Sequence, residues 1–417
     1  MKKILLPLFL FVGVLSCYSQ NVVVPDINFR NYLLQHQNIN TNGDSHIQLS
    51  EAAAYTGPII CVGLDIEDLT GIEAFEHVTF VSCAANYITE LDVSHNTHLT
   101  DLICSMNSLH TLDLSNNPHL RNLRCSFNPM EELDLSHNVR LKYLYTENTL
   151  LSALDVSHNP ELLELSCYTN YIETLDLSVN TRLVFLNCSS NWISSLNVSQ
   201  CPDLEWLLCY ANYIPELDLA HCNALRILRC FYNPLTELDV SNNIHLQKLD
   251  NPFSQVTRLD LSHNPALIVV YCFASHLNYL NIANGNNTAL QLLWTAGNPN
   301  LTCIQVDNPA YSETYWTGND FQFDATSQFN NNCLAGLSED ELLPIAVYPN
   351  PTANQVNVDL LENVQYRLTS IKGEILGQGD FTAGNHLFSL EAFEPGIYLF
   401  QFTTADGRSG VQKIQKN

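Results

Sequence analysis

The 417-residue chain sets 43 acidic against 17 basic residues, a formal net charge of −26. A phosphate backbone needs a basic footprint, so nucleic acid is excluded as a partner, and anionic membrane surfaces are disfavoured for the same reason. The length implies two or three domains, unless the fold grows in one direction only.

Residues 1–19 read as a signal peptide. Met1, Lys2 and Lys3 precede an apolar run from Ile4 to Leu15, too short to span a membrane. No transmembrane segment is expected after its removal. Cleavage after Ser19 would put Cys17 and Ser19 at the two small-residue positions. Val14-Leu15-Ser16-Cys17 also loosely matches a lipoprotein box.

Residues 20–77 form an N-terminal cap and lead-in. Ile27, Phe29, Tyr32, Leu33 and Leu34 fall near helical spacing and predict a short amphipathic helix over the first repeat. The stretch from Asn40 to Glu51 then has the spacing of an EF-hand loop. Asn40, Asn42 and Asp44 would supply oxygens at positions one, three and five, the His46 carbonyl at seven and the Glu51 carboxylate at twelve. Position one is Asn rather than Asp, and position six is Ser45 rather than Gly. Calcium is thus a candidate ligand, and a polar loop ending in a helix cap is the alternative. Leu64, Ile66, Leu69, Ile72 and Phe75 introduce the repeats.

Residues 78–302 repeat every 21 residues as L-x-x-L-x-C-x-x-N-x-L-x-x-L-D-L-S-x-N, as in Leu99, Leu102, Cys104, Asn107, Leu109, Leu112, Asp113, Leu114, Ser115 and Asn117. A unit of this size cannot bury its own apolar face and is stable only when stacked on its neighbours. The even spacing leaves no room for a long helix, so the returning segments must be short and extended. One column runs Cys83, Cys104, Cys125, Cys167, Cys188, Cys209, Cys230 and Cys272, with Thr146 and Asn251 in the two gaps.

On these residues the chain resembles the leucine-rich repeat family, in the bacterial variant with L-x-L-x-x-N twice per unit. The resemblance implies a mostly β solenoid, a right-handed coil of parallel strands with short extended returns. The L-x-C strand lies on a concave face, and the Asn turns inward to satisfy backbone groups. Eleven rungs ~4.8 Å apart would make a sheet on the order of 50 Å long.

The inward column of cysteines reads as reduced packing residues. In-register neighbours point the same way, which opposes the disulfide dihedral, and a buried thiol behaves as a small hydrophobe. Cys201 and Cys222 replace the second Asn on successive rungs, where pairing is open. Cys303 and Cys333 look like a disulfide closing the last rung. Residues 303–333 form the C-terminal cap, after the insertion Asn284-Gly285-Asn286-Asn287, and 334–343 are an acidic linker.

Residues 344–417 change composition and alternate like strands. Val347-Tyr348-Pro349-Asn350-Pro351-Thr352, Pro395-Gly396-Ile397-Tyr398 and Val411-Gln412-Lys413-Ile414 together resemble the C-terminal sorting domain of type IX secretion in Bacteroidetes. The resemblance implies a small β-sandwich engaging the type IX machinery, and a secreted or surface-displayed product.

The outward strand positions carry Tyr143, Tyr145, Phe185, Trp206, Arg229, Tyr271 and Trp294, with Tyr168, Tyr210, Phe231, Tyr232 and Phe273 just beyond the cysteines. Tyr, Trp and Arg are favoured interface anchors, so this face is expected to bind a protein, with a glycan as the alternative ligand and a non-binding display solenoid as the third reading. The recurring Asp of L-D-L-S reads as a hydrogen-bonded ladder. Ser136-His137, Ser157-His158 and Ser262-His263 near those Asp residues supply the parts of a hydrolytic triad. A catalytic site, however, needs one set in a water-excluding cleft, so no enzyme is expected.

Overall fold

Each L-x-C segment forms a three-residue strand whose central Leu is buried and whose flanking side chains face outward, as in Asp101–Ile103, Asn122–Arg124 and Tyr143–Tyr145. Consecutive strands pair in parallel at a shift of 21, with Leu102 opposite Leu123, Leu123 opposite Leu144 and Leu144 opposite Leu165. The computed structural model describes residues 21–333, 345–370, 374–404 and 409–417. The expected signal peptide and acidic linker lie outside these residues. One unit ends at Asn331 and a second begins at Asn332.

The long sheet holds thirteen strands, from Ile59–Ile60 to Phe321–Gln322, on the order of 60 Å at ~4.8 Å per strand. The strand Ile59–Ile60 and the buried Cys61 lie in the lead-in, before the strict period begins. Backbone pairing does not require the leucine pattern, so the sheet outruns the repeat at both ends. Near the C-terminal end the return segments also pair, as Arg258–Asp260, Tyr279–Asn281, Cys303–Gln305 and Gln328–Asn330.

The strands are short because the chain turns three residues after each. Ala85, Met106, Phe127, Asn148, Thr169, Ser190, Ala211, Tyr232, Phe253 and Ala274 all hold φ between 48° and 59°. A left-handed residue other than glycine costs about 1–2 kcal/mol, and the Asn that follows holds most of these turns. Asn191 donates to the carbonyls of Cys167, Cys188 and Ser189 at 3.0, 3.1 and 3.2 Å, and its Oδ1 accepts from the Ile172 N–H at 3.0 Å. Its amide thereby ties one coil to the next.

The second Asn of each repeat works differently. Asn180 donates to the carbonyls of Val156 and Asn159 at 3.1 and 2.9 Å, while its buried Oδ1 has no partner. Asn96, Asn117, Asn138, Asn159, Asn243 and Asn264 share this one-sided use. A position that needs only a donor can accept a thiol. Cys201 and Cys222 stand there, free and buried, with Sγ 3.7 Å from the Asn180 carbonyl and 3.5 Å from that of Val198.

At the N-terminal end the predicted helix spans Ile27–Gln35. Asp26 caps it, accepting from the Asn28 and Phe29 N–H groups at 2.8 Å each. Phe29 and Leu33 seal the first coil, while Ile27 faces solvent. At the other end a helix, Pro309–Tyr315, leads into the buried Trp316, which stacks on Phe321 at 5.6 Å.

The second unit packs two antiparallel sheets around Val356, Val358, Leu368, Phe400, Phe402 and Ile414. One sheet holds Ile345–Tyr348, Gln355–Leu360 and Gly384–Ser389. The other holds Val364–Ser370, Ile375–Phe381, Gly396–Thr404 and Ser409–Lys416.

Candidate binding surfaces

The outward face of the long sheet holds the strand-borne rings, in separate groups. Tyr145 lies under the Arg124 guanidinium, 4.3 Å from centroid to Cζ, and donates its hydroxyl to Glu164. Burial, together with the hydrogen bond and charge of Glu164, pushes this phenol up to about 12. Phe185 and Trp206 form a tilted pair at 6.2 Å. Tyr210 stacks on Phe231 at 4.4 Å, and Tyr271 meets Trp294 edge to face at 5.3 Å. Tyr232, Phe253 and Phe273 link these two pairs into one network. Tyr143 and Tyr168 are half-buried, and neither makes a ring contact within that network.

Stacking covers most of these rings, so Trp206, 43% exposed, is the open ring on the strands themselves. It stands on the eighth of the thirteen strands. The same face carries charge. Six of the nine Lys and Arg residues of 78–302, namely Arg121, Arg124, Lys142, Arg226, Arg229 and Lys248, sit on the strands or one residue before them. Arg229 Nε is 3.1 Å from Asp250 Oδ2, close enough for an ion pair, although its N–H is not aimed at an acceptor. Lys248 lies 3.5 Å from the same carboxylate and 5.1 Å from the Tyr271 ring centroid.

The EF-hand-like loop closes on its own donors. Glu51 Oε1 accepts from the Thr41 N–H and hydroxyl, both at 2.8 Å, and from the Asn42 N–H at 3.2 Å; Oε2 accepts from the Gln48 N–H at 3.1 Å. Burial works against the charge, but these bonds outweigh it and hold the Glu51 carboxyl below its usual value. The Gln48 amide nitrogen lies 3.2 and 3.0 Å from the two Asp44 oxygens and 3.3 Å from the His46 carbonyl. It thus donates to oxygens that the EF-hand spacing would give to a cation. Asn40 keeps a buried, unpartnered Oδ1, while its amide donates to the carbonyls of Leu34 and Asp44. Gln48 and Glu51 form a capping box on the helix Leu49–Ala54.

Eleven of the described cysteines are free and buried. Burial pushes Cys125, Cys188 and Cys272 up to about 12. Cys303 and Cys333 are each disulfide-bonded. The Asp column is hydrogen-bonded within its own turns, as where Asp113 Oδ1 accepts from the Ser115 N–H at 2.9 Å, and Asn197 does the same for Ser199 at 3.0 Å. Ser–His contacts of 3.0 to 3.2 Å recur at Ser136–His137, Ser157–His158 and Ser262–His263, all exposed. A trio repeated on open turns lacks the single enclosed geometry that acyl transfer needs.

A second set of rings lies beyond the sheet, at the position after the inward Asn, in Tyr171, Trp192 and Tyr213. Sequence reasoning centred on the strands passed over it. Its signal is a 21-residue column of its own, one place after Asn170, Asn191 and Asn212.

Residues 346–417 match the model of the secretion system C-terminal sorting domain. No curated protein matches the chain. Among solved structures, the functional domain of InlJ from Listeria monocytogenes, which includes a cysteine ladder, is similar at 23% identity over 96% of this chain and 100% of that one, with a TM-score of 0.47. The internalin InlF of the same species is similar at 18% identity over 70% and 98%, with a TM-score of 0.56. A leucine-rich repeat protein from Leptospira interrogans is similar at 17% identity over 63% and 81%, with a TM-score of 0.50. The class that fold and tail define is a leucine-rich repeat solenoid followed by a type IX sorting domain, and that domain marks the chain for export.

Proposed function

We propose that this chain is an exported, non-catalytic scaffold that binds a partner protein through the outward face of its long sheet, centred on Trp206. One observation carries the reading. In a chain with a net charge of −26, an exposed tryptophan stands mid-sheet on a face that carries most of the solenoid's basic residues, with Arg226 and Arg229 at the adjacent strand. Protein interfaces draw most of their energy from Trp, Tyr and Arg near the centre of the patch, ringed by side chains that exclude water. Half-satisfied ion pairs such as Arg226–Glu205, 3.4 Å apart, offer charge on both sides of that centre. A partner presenting mixed charge around an apolar pocket fits such a face better than a uniform polymer does.

Export would proceed through the signal at residues 1–19 and then the type IX machinery acting on the sorting domain, leaving the solenoid outside the cell. Immobilised mature chain should retain a partner from extracts of the cells it meets. Trp206→Ala with Arg229→Ala should lose it. Equal retention by wild type and the double variant would move the binding away from Trp206, and no retention by either would leave the solenoid with a display role instead.

A further inference from the structure

The turn edge of the solenoid carries a groove of about 500 Å³ whose lining does not include Trp206. Leu150, Tyr171, Trp192 and Tyr213 form one wall, one residue per coil, and are 38, 44, 49 and 62% exposed. Four coils span three intervals of ~4.8 Å, so this wall is about 14 Å long and straight along the solenoid. Asn148, Thr169 and Ser190 line the groove two residues before Leu150, Tyr171 and Trp192, at left-handed positions continued by Ala211 and Tyr232. The floor is the row of inward Asn residues, whose amides are spent on the backbone.

Three properties narrow what this groove can hold. No lining side chain is charged, in a chain where 14% of residues are. Among the described residues, the Asn148 amide and the Thr169 and Ser190 hydroxyls make no hydrogen bond, so they are available to a ligand in the groove. The Tyr171 and Trp192 rings are tilted by 55° at 5.1 Å, which leaves ring surface open instead of sealing it as Tyr210 and Phe231 do at 5°. Aromatic faces are the negative side of the ring quadrupole and attract polarised C–H groups. The polar side chains that line the groove with them offer hydrogen bonds to hydroxyls. A peptide would ask for deep side-chain pockets or ionic anchors, and a nucleic acid for cations. Neither is present.

We propose that this groove binds a linear, uncharged oligosaccharide lying along the solenoid axis. Sugar C–H faces stack on Tyr171, Trp192 and Tyr213, and sugar hydroxyls bond to Asn148, Thr169 and Ser190. The repeat of the ligand then runs alongside the repeat of the protein. The groove shares Tyr232 with the ring network beside the sheet but includes neither Trp206 nor Arg229, so either site can fail without the other.

Calorimetric titration of the full chain with cello-, xylo-, laminari-, manno- and maltohexaose tests it. At least one is expected to bind. Trp192→Ala should weaken that binding roughly tenfold or more, and Trp192→Phe should hold it to within about threefold, since the ring face remains. Ser190→Ala should weaken it less, and the left-handed position tolerates alanine, as Ala211 shows. Trp206→Ala should leave it unchanged. The proposal is overturned if none of the five binds, if Trp206→Ala abolishes binding while Trp192→Ala does not, or if only a charged probe such as hexagalacturonate binds.

Discussion

Tyr210 and Phe231 lie face to face, ring centroids 4.4 Å apart and planes within 5°, although 21 residues separate them along the chain. Stacked coils convert a sequence period into a side-chain contact, and most of the ring pairs described above are of this kind. Such pairs contribute about 0.5–1.5 kcal/mol beyond the area they bury. A double-mutant cycle on Tyr210→Ala and Phe231→Ala, read by urea unfolding, should return a coupling in that range. The same cycle on Tyr171 and Trp192 should return less, because their rings are tilted and open to water.

The two Asn columns should respond differently to substitution. Asn191 serves several backbone groups through both ends of its amide, so Asn191→Ala should cost ~3 kcal/mol or more by leaving buried groups unpaired. Asn159 uses only its donor end. Asn159→Cys should therefore be milder than Asn191→Cys, since the molecule already carries Cys201 and Cys222 in that column. Equal midpoints for the two cysteine variants would refute this account.

The eleven buried thiols should be silent to a thiol reagent in the native chain and react together on unfolding. Their folded values lie above the ordinary one of 9.0, reaching about 12 at Cys125, Cys188 and Cys272. For a group raised in the folded state, stability is intact below the unfolded value and is lost as pH rises beyond it. The thiol contribution to the unfolding midpoint should thus be constant below 9.0 and fall steadily toward about 12. Thermal melts across that range check the sign.

Glu51 acts through four donors, so Glu51→Gln should lower stability by about 1–2 kcal/mol, the usual loss at a capping position. The Glu51 and Asp26 carboxyls are both held below their usual values. Their contribution is present above the ordinary carboxylate range and disappears as pH falls through the folded values, so the wild type should lose its advantage over Glu51→Gln in acid. Millimolar calcium chloride should leave both midpoints where they are. A rise confined to wild type would mean that Gln48 gives way to a cation.

Removing residues 344–417 should trap the solenoid inside the cell envelope, and fractionation with an antibody to the repeat region would detect it. Normal appearance of the truncated chain in the medium or on the surface would contradict the role of the sorting domain.

Much of this was legible in the residues. The cysteine column could be assigned to the interior because a side chain 21 residues from its like must lie over it, and the Asn beside it could be assigned to the turn because buried backbone needs a partner. The closing of the Asn40–Glu51 loop on Gln48 was not legible, because the spacing of oxygens is the same whether they face a cation or an amide. The ring column at Tyr171, Trp192 and Tyr213 was missed for a related reason. Alternation along a strand predicts which side chains face outward, but it stops applying once the chain turns.

By itself, then, the chain's order of residues determined the coil and the two inward ladders, because like residues stacked at one period leave a single way to bury the leucines. Which rings remain open was decided by tertiary structure alone. The left-handed residue in each turn swings its neighbours off the sheet, and contacts between coils, invisible along any one of them, cover Phe231 and leave Trp192 and Trp206 in water.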